Sequence, residues 1–371
     1  MATTTYRYLF ADLLSNQILA ELPLTGVSFT QQLNTAGTFT GHLLLSGVNA
    51  TALNVDAATT PARTAVYVDR NGVLVWGGVL WGREYNSTSQ TLTFQAREFL
   101  SYYERRRITS TVAYTNIDQL TIAQATISNS AGVPNGNIGL LYNQDSGSTS
   151  VSGVLVSRVY YAYELKTIFN AVLDLSKQST GFDFEISVYY DGSGNPAKSF
   201  NTYYPRAGVA YSSSSTNIPV FELPSGNIVE YTYPEDGSVA ANTIYALGAG
   251  SNEGKLVASA SDTTKLSTGW PLLEEQANYS DITDAAVLGK LAVGQITAVS
   301  YPPTTLKVVA PPYVNPEFGT YGIGDDVRVR ITDNRFPTGL DAIYRLVSLN
   351  VQAGENGPER VTLTLATGTT S

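Results

Sequence analysis

Apolar and polar positions alternate with period two through the first hundred residues. Tyr6 to Asp12 and Gln17 to Leu22 read as strands around the turn-like pair Ser15-Asn16. Gly26 to Leu33 leads through Asn34-Thr35-Ala36-Gly37 into Thr38 to Leu45, where Phe39, Gly41 and Leu43 alternate with polar neighbours. Thr64 to Asp69 meets Asn71-Gly72, a strong hairpin signal because both turn positions need positive φ. Val73 to Trp81 returns the chain, and Asn86 to Ser89 turns it into Gln90 to Ala96, with Leu92 and Phe94 on one face. Six or more short strands at this spacing predict a small barrel or sandwich.

The middle of the chain changes period. Asp118 to Ser128 predicts a helix carrying Leu120, Ile122 and Ile127, followed by a turn-rich loop from Gly132 to Ser152. Tyr163 to Gln178 has the clearest helical spacing, through Leu165, Ile168, Phe169, Val172 and Leu173, with Thr180-Gly181 as its stop. Strands resume at Phe182 to Tyr190, turn at Asp191-Gly192-Ser193-Gly194-Asn195, and return through Lys198 to Tyr204. A further hairpin is expected from Asn242 to Leu247 and Lys255 to Ala260. Asp284 to Gln295 reads as a helix capped by Asp281 or Thr283 and burying Val287, Leu288, Leu291 and Ile296. Thr305 to Val309, Asp326 to Thr332, Ile343 to Val351 and Arg360 to Ala366 are strands again.

The last strands echo the first set. Val66-Tyr67-Val68, Val75 to Leu80 and Leu92-Thr93-Phe94 follow one another as Val327 to Ile331, Tyr344 to Val347 and Leu363-Thr364-Leu365 do. Each set comes after a hairpin, Val27 to Leu45 in one and Asn242 to Ala260 in the other. The expected fold is mainly β with α+β insertions: two related small β-barrel domains combined with an α+β region. The expected boundaries are residues 1–100 for the first barrel, 101–235 for the α+β insert, 236–262 with 300–371 for the second barrel, and 263–299 for a helical insertion within it. Three copies of such a chain present six similar barrels in a ring.

Composition narrows the chemistry. Charged residues are 14% of the chain, against about 25% in an average soluble protein, and Thr, Ser, Gly and 24 Tyr take their place. Such a surface suits permanent subunit contacts, where aromatics are enriched and charges depleted. A net charge of −9 opposes sequence-independent grip on a phosphate backbone, and Arg105-Arg106-Arg107 reads as a solvated strand or linker face. With no cysteine, disulfides and thiolate metal sites are excluded. Met1 to Leu14 lacks the pattern of a secretory signal and no apolar stretch reaches the length of a membrane span, so synthesis in a cytoplasm is expected.

The single histidine, His42, reads as a structural strand residue, since zinc and triad chemistry need partners it lacks nearby. Gly248-Ala249-Gly250 reads as a hairpin turn, because no complete phosphate-loop motif follows it. Glu274-Glu275, Glu235-Asp236 and Asp325-Asp326 read as loop acids, although paired carboxylates at the right separation hydrolyse glycosides. The turn at Asp191 to Asn195 lacks the acidic density of a calcium loop. Tyr102-Tyr103, Tyr160-Tyr161-Tyr163, Tyr189-Tyr190 and Tyr203-Tyr204 read as packing residues, with sugar stacking as the alternative. No catalytic, cofactor-binding or metal-binding residue is assigned, no cofactor is expected, and the chain is read as a non-enzyme.

Leu33 to Gly41, Val66 to Gly72 with Val75-Trp76-Gly77-Gly78, and Arg97 to Tyr103 resemble the minor tail proteins of siphophages infecting Actinobacteria. Gly181-Phe182-Asp183-Phe184 and Gly324-Asp325-Asp326-Val327 fit the same pattern. That family is similar to the baseplate hub of contractile tails. The resemblance implies a structural virion protein of the tail tip, a homotrimer whose two barrels per chain form a pseudo-sixfold ring. Its implied partners are the distal tail protein ring, the tape measure protein, and minor tail, spike or receptor-binding proteins, and the ring lines the DNA exit channel. No sequence-specific nucleic-acid contact and no membrane span are implied. Because the chain stops at Ser371, directly after its last predicted strand, any hydrolase or receptor-binding activity is expected in another protein. Two alternatives stay open: a hexameric distal tail ring protein, and a carbohydrate-binding or cell-wall-degrading tail component.

Overall fold

The period-two runs become strands of one long sheet, seen in a computed structural model that describes residues 4–47, 53–212, 214–224, 226–299, 305–354 and 358–367. Met1 and Ser371, the ends of the expected first and last segments, lie outside these residues. The N-terminal strands are β1 (Tyr6–Asp12), β2 (Ile18–Glu21), β3 (Thr25–Gln32), β4 (Thr38–Leu44), β5 (Thr64–Arg70), β6 (Val73–Asn86) and β7 (Thr91–Glu98). The short helices α1 (Val55–Ala58) and α2 (Leu100–Tyr103) accompany them. Asn71 and Gly72 sit at φ 55° and 84°, as the hairpin they form requires. Alternation along β1 and β5 divides side chains between two cores. Tyr8, Phe10, Val66 and Val68 face one, and Leu9, Ala11, Ala65 and Tyr67 face the other. Burial on both faces explains why these strands are apolar almost throughout.

The second core is completed by the insert: β8 (Val112–Asp118), α3 (Gln119–Ala131), β9 (Leu140–Tyr142), β10 (Leu155–Tyr160), α4 (Ile168–Ser176), β11 (Asp183–Tyr190) and β12 (Pro196–Tyr203). Leu120, Ile122, Ile127, Ile168, Val172, Phe184 and Phe200 fill it. Strand β9 lies within the segment expected to be all loop and pairs in parallel with β12. Helix α4 begins later than its apolar spacing suggests. Leu165 adopts φ 46° after a single 3-10 turn, and the helix starts where the Thr167 hydroxyl accepts from the Asn170 N–H.

The remaining strands are β13 (Val220–Leu223), β14 (Glu230–Thr232), β15 (Thr243–Leu247), β16 (Val257–Ser261), β17 (Glu274–Asn278), β18 (Leu306–Ala310), β19 (Asp326–Ile331), β20 (Leu340–Gln352) and β21 (Arg360–Thr367). Helices α5 (Thr263–Ser267) and α6 (Ala285–Val299) lie between them. The long sheet runs β14-β18-β21-β20-β3-β4-β7-β6-β5-β1-β2, with β19 on β20 and β13 on β19. Ser28–Gln32 of β3 and Ser348–Gln352 of β20 pair to join its two halves. The neighbour order repeats: β3-β4-β7-β6-β5-β1 in one half is matched by β14-β18-β21-β20-β19-β13 in the other. One difference is that β13 runs parallel to β19, whereas β1 is antiparallel to β5. A β-bulge repeats too, between Leu80 and Gly82 opposite β7 and between Leu346 and Ser348 opposite β21.

This topology leaves one expectation unconfirmed and corrects another. Among the described residues no ring of strands closes, so the two expected barrels are not confirmed; their strands form two halves of one sheet over a shared core. The hairpin expected in the second barrel is β15–β16, which joins β17 in a separate three-stranded sheet, while β14 and β18 occupy its expected place. The cause is a local core: Ile244 and Ala246 of β15 turn toward Leu288, Leu291 and Ile296 of α6 rather than toward the long sheet.

Helix α6 is capped by neither Asp281 nor Thr283. The Asp284 carboxylate accepts from the Ala286 and Val287 N–H groups at 2.7 and 3.2 Å, and Asp281 instead pairs with Lys166. The small lobe formed by β15, β16, β17 and α6 also docks on the insert by backbone: the Ser179 N–H donates to the Lys290 carbonyl, and a Cβ on Gly294 would lie 2.1 Å from the Lys177 carbonyl oxygen. Gly294→Ala is therefore expected to loosen this contact at a cost of about 1–3 kcal/mol. Faster amide exchange across α6 and α4, with the long sheet unchanged, is the readout; unaltered exchange would refute the backbone docking.

Candidate functional site

The residues singled out from the sequence do not converge. His42 is half-buried in β4, with Nδ1 3.0 Å from the Thr93 hydroxyl. The turn at Asp191 is closed on itself, its carboxylate accepting from the Ser193 and Asn195 N–H groups at 2.8 Å each. Glu274 accepts from the Tyr245 hydroxyl and Glu235 pairs with Arg335. Gly250 turns the β15–β16 connection at φ 102°. Arg105 and Arg107 are exposed, but Arg106 is not part of a solvated face. It donates to the Ser130 and Gly136 carbonyls at 2.8 and 3.1 Å, covering the C-terminal end of α3, where a cation is favoured. Among the described residues no group of three or more His, Cys, Asp or Glu is placed to hold a metal.

Asp325 and Asp326 hold the chain that leaves the insert. Asp325 accepts from the Val209 and Gly322 N–H groups, and Asp326 pairs with Arg206 at 2.7 Å while accepting from the Tyr211 N–H. Among the tyrosines, Tyr103, Tyr160 and Tyr203 are buried, and Tyr190 is half-buried with its hydroxyl donating to Asp69. Tyr163 is 78% exposed and stacks on Tyr161 with ring centres 5.2 Å apart.

One grouping had no signal in the sequence. A cleft of about 690 Å³ lies between the N-terminal sheet, the insert and the loop before β19. Glu98, Asp145, Glu185 and Asp325 line it, and its arginine, Arg206, is already paired. Glu98, at the end of β7, accepts from the Gly37 N–H at 2.6 Å. The Tyr203 hydroxyl of β12 lies 2.8 Å from both Asp145 and Glu185. A phenol has one proton, so it donates to one of the two carboxylates at a time. Burial, with Asp145 and Asp183 adding, raises the Glu185 carboxyl above its ordinary range. Burial, reinforced by Glu185, raises Glu98 well above it.

Raised carboxyls keep protons that the unfolded chain has lost. Stability should therefore fall as pH rises from about 4.3 through the range where Glu185 and Glu98 ionise. Glu185→Gln, which keeps a hydrogen-bonding group without the charge, is expected to flatten that decline. Urea midpoints at pH 5 and pH 8 measure it, and equal slopes for both proteins would remove Glu185 from the account.

No protein-family model and no curated protein matches the chain. Solved structures do. The tail protein from Neisseria meningitidis MC58 matches with a TM-score of 0.62 over 98% of this chain and 96% of its own, at 12% identity. The 43 kDa tail protein of prophage MuSo2 from Shewanella oneidensis gives 0.56 over 97% of each chain at 14% identity. Prophage tail protein gp18 from Listeria monocytogenes gives 0.52 over 96% and 94% at 14% identity. The chain is mainly β and shares, over 96–98% of its length, the fold of these tail proteins, two of them from prophages.

Proposed function

We propose that this chain is a structural, non-catalytic protein of a virion tail, the hub of a tail-tip baseplate. Three copies form a pseudo-sixfold ring that joins the distal tail ring to the tip and host-recognition proteins and encloses the channel for the tape measure protein and DNA. The observation that carries this reading is the repeated half-sheet within a fold shared with tail proteins. Two equivalent halves per chain let a threefold assembly offer six similar units to a sixfold tube. In this arrangement the first hub unit is residues 1–100, and the second is built from 220–232 and 305–367. The insert and the small lobe project from the ring. A tube of single-unit subunits needs six copies, so copy number discriminates. Mass measurement of the assembled chain should give three; six would replace the hub with a distal ring protein.

A further inference from the structure

The two halves of the sheet meet inside the chain through one pair of strand edges, and among the described residues the equivalent pair at its outer ends has no partner. Aligning the repeated bulge makes Leu80 equivalent to Leu346 and Gly82 to Ser348, which carries Tyr85 onto Val351. The neighbours agree. Ala96 and Leu365 face these bulges, Phe39 faces Ala96 as Leu306 faces Leu365, and Phe39 and Leu306 are both buried in the shared core. One strand further, Thr232 faces Lys307 as Ser28 faces Thr40. Thr232–Asp236 is thus the counterpart of Ser28–Gln32, and Gly82–Asn86 the counterpart of Ser348–Gln352.

Within the chain, Ser28–Gln32 and Ser348–Gln352 are paired. Among the described residues their counterparts are not: β14 ends the sheet and stops at Thr232, so 233–236 continue its line outside any strand, β5 pairs β6 only up to Val79, and Glu84, Tyr85 and Asn86 are exposed. Tyr85 is 52% exposed where its equivalent Val351 is 1% exposed. We propose that Gly82–Asn86 of one copy pairs antiparallel with Thr232–Asp236 of the next, repeating between copies the junction that β20 and β3 make within each. This deepens the hub reading by naming the edges through which copies join. Six strands of the sheet separate the two segments within one chain, so the contact is head to tail.

The transferred register is chemically consistent. It sets Tyr85 opposite Tyr233, Glu84 opposite Pro234, and Arg83 opposite Glu235, which would exchange their present partners, the Asp56 carbonyl with the Thr59 hydroxyl and the exposed Arg335, for each other. In the internal junction the Leu33 N–H donates to Val347 and the Ala353 N–H to Val27, so the hydrogen-bonded pairs include Phe29 with Val351, and Thr30 with Asn350 is a non-hydrogen-bonded pair. Pro234 occupies the Thr30 position, where a missing N–H costs the new ladder nothing. Tyr85 and Tyr233 fall on the Val351 and Phe29 positions, which face the core.

The chain contains no cysteine, so introduced thiols report only this contact. Opposed non-hydrogen-bonded positions lie within disulfide reach, about 4.5 Å between Cα atoms. Mixed Glu84→Cys and Pro234→Cys chains, oxidised at high concentration, should give disulfide dimers containing one of each. The double variant should give bands that end at three chains. Tyr85→Asp should weaken association of the native chain by roughly tenfold or more. Trimers that form without this cross-link, or dimers linked through Glu84→Cys alone, would overturn the pairing and leave the hub reading intact. A chain that stays monomeric would also overturn it. Cross-linked open polymers would support the pairing and defeat the threefold ring.

Discussion

Trp76→Ala is expected to remove most of the stability of the whole long sheet, not only of its N-terminal half. Trp76 is 1% exposed, stacks on Phe39 with ring centres 5.3 Å apart, and donates its indole N–H to the Thr30 carbonyl at 2.9 Å. Gly78 beside it leaves room for the ring, since a Cβ there would lie 2.6 Å from the indole. Truncation of a buried Trp costs roughly 3–5 kcal/mol, and the stranded Thr30 carbonyl adds about 1 kcal/mol. That is a large part of the roughly 5–15 kcal/mol that domains possess. Trp76 belongs to the same continuous core as Val327, Leu349 and Leu363 of the C-terminal strands. Urea unfolding should therefore remain a single transition, shifted to lower denaturant. Two separated transitions, with the C-terminal strands unaffected, would show that the halves hold independent cores.

That shared core marks the limit of what could be read from the chain. Strand positions were legible because their alternation is local: β1, β4, β5, β18 and β21 fall within a residue or two of the expected segments. The repeat was legible as an order of strands. Its leading hairpin was misassigned because β14 and β18 are separated by the entire small lobe, and β14 is only three residues long. No period can be seen in three residues. The choice between β14–β18 and β15–β16 was settled instead by which strands had a helix to cover them, a fact of tertiary packing.

The motifs behind the resemblance turn out to be joints. Asn34, at φ 58°, donates from its amide to Asp183 and accepts from the Phe184 N–H, tying the β3–β4 turn to the insert. Asp183 also accepts from the Ala207 N–H and pairs with Arg345 of β20. One carboxylate thus links the first half-sheet, the insert and the second half-sheet. Asn34, Asp183 and Arg345 are too far apart in sequence for spacing to reveal them. The same holds for Glu98, Glu185 and Tyr203, each of which reads locally as an ordinary strand residue.

Lys198→Met is expected to make the protein more stable at neutral pH. Lys198 lies on β12 at 1% exposure, held by the Asn16 side-chain oxygen at 3.0 Å, the Tyr67 oxygen at 3.2 Å and the Phe99 ring at 4.9 Å, and among the described residues no carboxylate lies within salt-bridge distance. Burial lowers its pKa from 10.5 to about 8. Between those values the unfolded chain binds the proton that the folded one has released, so wild-type stability rises with pH across this window. Below pH 8 both states are protonated and the folded state bears the full cost, about 3 kcal/mol at 1.36 kcal/mol per pH unit. Methionine fits the volume without the charge. Because the Tyr67 hydroxyl still donates to Asn16, the substitution leaves that oxygen satisfied. The variant should gain about 2–3 kcal/mol at pH 7 and converge on the wild type above pH 10.5, as denaturant midpoints at the two pH values will measure. A destabilised variant at pH 7 would mean that the ring and oxygen contacts outweigh desolvation. Lys198 would then be a net tie between the insert and the N-terminal sheet rather than a charge tolerated there.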